Sequence, residues 1–177
     1  LTFTGGVDLG GADRTIDNSI TSNLTFSGVM SNGSLTIAGS AGTGAVILSG
    51  TNIHTNTTIS GGNISTNSNS LSIASEASLG TGTLTLNGAG AVLNVTGATT
   101  IDNAIAIGSS GGTVNNTNAV TLSGVVSGTG ALTKSGVGTM TLSATNTHTG
   151  NVTVSAGTME VSGGSSIGDD SAVTVSS

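Results

Sequence analysis

The sequence predicts an all-β fold in which short strands coil around one narrow apolar core as a β-solenoid. Two observations support this: a five-residue strand motif recurs along the chain, and the composition lacks the residues that fill a globular core. The 177 residues include 30 Gly, two Phe and no Trp, Tyr, Pro or Cys. Small aliphatic side chains reach native packing density most easily in a narrow core. A solenoid offers such a core, because each layer buries its apolar edge against its neighbours.

The strand motif is an apolar residue, Thr, a second apolar residue, a small polar residue and usually Gly. Alternation with period two is typical of a half-buried strand, and Gly allows the turn that follows. Asn-Gly turns are too few for a series of hairpins, so we predict two or three strands per turn of a coil. The motif copies are 1–5, 24–28, 35–39, 46–50, 57–61, 71–75, 84–88, 120–124, 132–136, 140–144, 152–156, 159–163 and 173–177.

A longer repeat lies above the short one. TIDN occurs at 15–18 and 100–103, and TNIHT at 51–55 returns as TNTHT at 145–149. With roughly 20–25 residues per turn and layers about 4.8 Å apart, we expect about eight rungs. The domain prediction is a single solenoid segment over 1–177 with two degenerate copies of the larger unit, at about 14–97 and 98–177.

The alternation also predicts which side chains face inward. Apolar residues at the first and third motif positions should form the core, with Thr and Ser between them facing solvent. The predicted inward residues are Leu24, Phe26, Leu35, Ile37, Leu84, Leu86, Val120, Leu122, Met140, Leu142, Val152 and Val154.

Residues 128–160, GTGALTKSGVGTMTLSATNTHTGNVTVSAGTME, resemble the passenger-associated transport repeat of bacterial autotransporters. That repeat has the pattern Gly-x-Gly-x-Leu-x-Lys-x-Gly-x-Gly-x-Leu-x-Leu, then Asn-Thr-Tyr-Thr-Gly, a strand and Gly-Thr-Leu. Residues 33–64 resemble it more weakly, with Ile37 at the Lys position. Both copies carry His, at His54 and His148, where the repeat has Tyr.

The resemblance implies a right-handed parallel β-helix in a protein exported to the bacterial cell surface or beyond. We expect Lys134 to point inward while its amine reaches solvent at a corner. The residues that match the repeat motif are Lys134, Gly136, Gly138, Leu142, Asn146, His148, Gly150 and Gly157.

Charge composition excludes several classes of partner. The net charge is −6, with only two Lys or Arg residues. Nucleic-acid binding and docking on anionic lipid both need clusters of basic residues, so neither is expected. The longest apolar runs are too short to span a bilayer, so no direct membrane insertion is expected.

No motif predicts an enzyme, a catalytic residue or a cofactor. We interpret both histidines as corner side chains packed on the next rung. Two acidic pairs, Asp13 with Asp17 and Asp169 with Asp170, are candidates for a structural Ca²⁺ ion, although Asp also caps bends through its own backbone. Neither pair matches a known Ca²⁺ loop.

The function predicted is therefore structural or adhesive: an extracellular stalk or adhesin module on the bacterial cell surface. Two alternatives stay open, an ice-binding solenoid with outward Thr ladders and, less favoured, a glycan-degrading β-helix enzyme. The chain begins and ends in strand motifs without a recognisable cap. We therefore expect an uncapped segment of a longer solenoid or fibre. Its partners would be neighbouring repeats, identical subunits stacked end to end, or a host or neighbouring cell surface.

Overall fold

The computed structural model describes residues 1–39, 44–60, 69–88, 90–162, 167 and 172–176. Within these residues the chain forms nineteen strands and one short 3-10 helix, η1 (Glu76–Ser78). The strands are β1 (Thr2–Phe3), β2 (Val7–Asp17), β3 (Leu24–Phe26), β4 (Met30–Ala38), β5 (Val46–Leu48), β6 (Thr57–Ser60), β7 (Asn69–Ile73), β8 (Leu84–Asn87), β9 (Ala91–Val95), β10 (Thr99–Ile101), β11 (Ile105–Ile107), β12 (Gly112–Asn116), β13 (Val120–Leu122), β14 (Val126–Gly128), β15 (Leu132–Ser135), β16 (Thr139–Leu142), β17 (Val152–Val154), β18 (Thr158–Val161) and β19 (Val173–Val175).

The strands stack into three parallel sheets. Sheet I has nine strands in the order β1-β3-β5-β7-β9-β12-β15-β17-β19, sheet II has six in the order β2-β4-β6-β8-β11-β14, and sheet III has four in the order β10-β13-β16-β18. Every sheet follows the order of the chain, so the chain advances in one direction along one axis. The predicted all-β solenoid is confirmed, and the nine-strand stack is close to the predicted rung number.

The length of one turn follows from the register of sheet I. Val46 pairs with Leu71, 25 residues on, and Lys134 pairs with Val154, 20 residues on. The predicted turn of 20–25 residues is confirmed.

The cross-section changes along the axis. Up to β8 the chain alternates between sheets I and II, and η1 follows β7 before the chain enters β8. From β9 onward it passes through sheets I, III and II in turn, so the coil becomes three-sided. The motif copies at 24 and 46 lie in sheet I, while those at 35 and 57 lie in sheet II. Their spacing of eleven residues is therefore half a turn.

Register-matched side chains form continuous columns inside the coil. One sheet I column runs through Leu24, Val46, Leu71, Leu93, Val114, Lys134 and Val154. Of the twelve residues predicted to face inward, eleven are buried and Leu24 is partly buried against the same core. The alternation therefore predicted the core correctly. Near one end of the coil, Phe3 and Phe26 stack with ring centroids 5.0 Å apart.

The small polar residue of the motif also has a structural role. Ser123 donates its hydroxyl hydrogen to the Ile101 carbonyl of the preceding turn at 3.4 Å, and Ser155 donates to the Lys134 carbonyl at 3.1 Å. These bonds supplement the backbone ladder where each strand ends. In the described part of the chain, no helix is long and apolar enough to cross a membrane.

Candidate functional site

Buried asparagines tie successive turns together at the corners. The Asn52 side-chain oxygen accepts a hydrogen bond from the Met30 amide at 2.8 Å, and its amide nitrogen donates to the Ser78 carbonyl at 2.8 Å. One side chain thus bridges the turns before and after its own. In the second TNxHT segment, the Asn146 oxygen accepts from the Val126 amide at 2.7 Å. In both segments, Asn satisfies a backbone group that the turn would otherwise leave buried and unpaired.

His54 is fully buried, and its hydrogen bonds define its tautomer. Thr57 donates its hydroxyl hydrogen to the Leu79 carbonyl at 2.7 Å, so the Thr57 oxygen can only accept from His54 Nε2, also 2.7 Å away. Nε2 therefore carries the hydrogen, which makes Nδ1 an acceptor. This Nδ1 is buried without a partner among the described residues, and burial lowers the pKa of His54.

His148 occupies a similar buried corner. Its ring is 3% exposed, and Nε2 donates to the Gly130 carbonyl at 2.6 Å, since a carbonyl oxygen can only accept. His54 lies between β5 and β6, whereas His148 follows β16 several turns away. Neither ring faces solvent, so both fit the corner interpretation.

Lys134 lies in the sheet I core column with none of its surface exposed. Its ammonium donates to the carbonyls of Ser135 at 2.9 Å, Gly136 at 2.7 Å and Ala156 at 3.1 Å. The inward position was predicted, but the expectation that the amine reaches solvent is wrong. Three backbone carbonyls take the place of water, and burial lowers the pKa of the amine.

The motif glycines lie where one turn of backbone touches the next. A Cβ on Gly150 would come within 2.0 Å of the Gly130 carbonyl oxygen, and one on Gly138 within 2.3 Å of the Asn118 oxygen. Gly136 and Gly157 have φ of +79° and +71°, a region that side chains disfavour. The remaining motif residue, Leu142, is buried in the core.

The acidic candidates do not form a metal site in the described residues. Asp13 and Asp17 are exposed on β2, and Asp17 accepts from the Ser19 hydroxyl at 2.8 Å. Asp169 and Asp170 lie outside the described residues. Within the part described, no group of three or more His, Cys, Asp or Glu side chains could hold a metal ion.

One other pair of carboxyl groups lies side by side, Glu76 of η1 and Asp102 after β10. Burial, the charge of Asp102 and a hydrogen bond with it raise the pKa of Glu76. Two carboxyl groups with no basic partner lack the charge stabilisation expected of a polysaccharide-cleaving site.

Outward threonines form a single column on each sheet. The adjacent outward columns contain Asn, Asp, Ser and Ala, so no face carries the broad Thr lattice that the ice-binding alternative requires. The columns are Thr15, Thr36, Thr58 and Thr85 on sheet II, Thr113, Thr133, Thr153 and Thr174 on sheet I, and Thr100, Thr121 and Thr141 on sheet III.

Comparison with known proteins identifies the repeat. The family model of the passenger-associated-transport-repeat matches residues 41–65 and 132–161, about a third of the chain. The resemblance drawn from the sequence is confirmed, and the matches are consistent with an autotransporter passenger repeat. No curated protein and no solved structure matches the chain.

The two matched segments occupy different sides of the coil. The strand before TNIHT is β5 in sheet I, whereas the strand before TNTHT is β16 in sheet III. Ile37 lies outside the first match and in sheet II, so it is not the structural counterpart of Lys134. The repeat therefore encodes a local strand–corner–strand unit and does not determine the side on which that unit lies.

Proposed function

We propose that this chain is a stiff structural module of a surface-displayed, autotransporter-passenger-like protein. The observation that carries the proposal is the uninterrupted nine-strand ladder of sheet I from β1 to β19. Eight strand spacings of about 4.8 Å give a rod of roughly 38 Å from this segment alone. A stacked coil gains length without needing a larger core, which suits a spacer.

Links between turns support stiffness. Asn52 bridges the turns on either side of its own, and the Lys134 ammonium joins carbonyls of two successive turns. Bending the rod would separate these groups in a core from which water is excluded, so bending would leave buried polar atoms unpaired.

The outward faces support an adhesive role for the same module. Their threonine, serine and asparagine side chains can change without altering the core columns. The faces carry few charges, since only 6% of residues are charged. A host or neighbouring cell surface is the proposed partner. No catalytic step is part of the proposal, because both histidine rings are buried.

An extracellular or bacterial cell-surface location is also proposed, on the strength of the two matched transport-repeat segments. Further rungs are proposed to cover the apolar end of the coil, from the same protein or an identical subunit. There Val161, Val173 and Val175 are 47%, 50% and 76% exposed, around an open hollow of about 250 Å³.

The spacer role can be tested by surface display. The chain is placed between an outer-membrane anchor and an epitope, and binding of an antibody to intact cells is measured. Leu122→Asp, which disrupts the core, is compared with Thr121→Asp, its outward neighbour. We expect the wild-type and Thr121→Asp chains to expose the epitope equally, and Leu122→Asp to reduce antibody binding at equal expression. Equal binding by all three chains would contradict the spacer role, and attachment of the same cells to host cells tests adhesion.

A further inference from the structure

The outermost strand of sheet II, β2, is interrupted by a large bulge. Asp8 pairs with Ser31 and Ala12 pairs with Gly33, so three residues of β2 stand against one of β4. Two of the three, Gly10 and Gly11, both have φ of +70°. Bulges of this kind disrupt the row of backbone groups that a further strand would need.

Hydrogen bonds hold the bulge in place. One oxygen of Asp8 accepts from the Gly10 amide at 2.7 Å and from the Asn32 side chain at 3.0 Å. Leu9 folds inward and is only 4% exposed, and Arg14 Nε donates to its carbonyl at 3.0 Å. The bulge is therefore a fixed part of the fold.

Gly33 on β4 is needed for this close contact. A Cβ there would lie 2.9 Å from the Leu9 Cβ and 2.3 Å from the Ala12 carbonyl oxygen. The sequence of the second turn is thus adapted to the bulge in the first.

Arg14 also takes a core position. It pairs with Leu35 at one end of a column whose later members are all uncharged, namely Thr57, Leu84, Ile105 and Val126. A strand stacked on β2 would bury the guanidinium beneath it. Burial of an ion without a carboxylate partner is strongly unfavourable. Asp8, Asp13, Arg14 and Asp17 together make four of the ten charged residues of the chain.

We infer that residues 7–17 form an edge cap that closes sheet II to the addition of another strand. The bulge removes the backbone template, and Arg14 places a charge where a partner strand would need an apolar side chain. The charged GGADRTID segment has this role and not a metal-binding one. Stacking of identical subunits on this edge is blocked, which limits fibre growth through sheet II.

Site-specific pyrene labelling can test the cap, because the chain has no cysteine. Thr15→Cys places the label on the outward face of β2, and excimer emission reports two β2 edges in contact. A mixture with chains labelled at Thr174→Cys reports contact of β2 with the opposite end. In the otherwise wild-type chain we expect no excimer from Thr15 labels in a concentration series, alone or in the mixture. In Asp8→Ala/Arg14→Leu we expect excimer emission that rises with concentration.

Asp17→Ala is the matched control, since it removes a charge from β2 but leaves the bulge and the core column intact. It should give no excimer. Amide hydrogen exchange of β4 to β8 confirms that each variant is folded, and Arg14→Leu alone replaces the double variant if that one unfolds. Excimer emission from the wild-type background would overturn the inference, as would a folded cap variant that gives none.

Discussion

The caged ammonium of Lys134 carries a testable cost at the scale of one residue. Lys134→Met keeps an unbranched stem but removes the donor, so three buried carbonyls lose their partner. We expect a loss of about 1.5–3 kcal/mol, the range for hydrogen bonds to a charged group. Urea unfolding followed by circular dichroism measures the change, with the outward neighbour Thr133→Ala as control. A Lys134→Met chain as stable as the wild type would show that desolvation of the ammonium cancels its bonds.

His54 should make stability depend on pH. Burial lowers its pKa in the folded chain below the ordinary value of 6.5, so the unfolded chain binds the proton more readily. The contribution of His54 is therefore complete above about pH 6.5, and it is lost as the pH falls towards the folded-state pKa.

The variant His54→Gln can still donate from its amide nitrogen to Thr57 but does not titrate. We expect the thermal midpoint of the wild type to fall more steeply than that of His54→Gln between pH 7 and pH 5. Parallel curves for the two chains would be incompatible with titration of a buried His54.

Sequence alternation predicted much at this scale, and its failures have a common cause. Inward residues such as Leu122 and Met140 follow from period two alone. The partners of Lys134 did not, because the Ala156 carbonyl lies 22 residues away and meets the amine only through the register of two turns. The TNxHT segments suggested buried corners, but the bridging bonds of Asn52 also depend on residues from other turns.

The orientation of the sheet III strands can be tested with two adjacent positions. Leu122 is buried between Ile101 and Leu142, whereas Thr121 faces outward between Thr100 and Thr141. Leu122→Asp should cost several kcal/mol because it buries an unpaired carboxylate. Thr121→Asp should cost little, since Glu160 already lies in the same outward column. Similar thermal midpoints for the two variants would mean that the inward face is assigned wrongly.

The spacing between turns can be tested at the glycine corners. Gly150→Ala would place a Cβ 2.0 Å from the Gly130 carbonyl oxygen, whereas Gly5 has no atom within 4 Å of the same position. We expect Gly150→Ala to lose about 1–3 kcal/mol or more, as in other overpacked sites, and Gly5→Ala to change little. Differential scanning calorimetry compares them, and a neutral Gly150→Ala would contradict the close contact between turns.

Elements were predicted well where the strand motif is regular and poorly where it is interrupted. The copies at 24, 35, 46 and 57 correspond to β3, β4, β5 and β6. The change from two sides to three at β9 was not predicted, because the motif specifies strands and not the sheet that each one joins. The bulge of β2 was also missed, since the pair Gly10-Gly11 resembles an ordinary corner in the sequence.

At the scale of the whole molecule, one register links all the turns into a rod with two different ends. The β2 edge carries a bulge and charges, while the other end exposes Val173 and Val175. The sequence predicted the coil and its repeat but not this difference, which depends on where Arg14 and Leu9 lie relative to the core columns. The division into two larger copies, at about 14–97 and 98–177, stays a prediction.

The central claim is a single stiff stack held in one register, and an electron–electron distance measurement tests it most directly. Spin labels at Thr25→Cys in β3 and Thr153→Cys in β17 lie on the outward face of sheet I, six strand spacings apart. At about 4.8 Å per spacing we expect a narrow distribution centred near 29 Å. A broad distribution, or one centred far from that distance, would contradict the stack and the spacer function that rests on it.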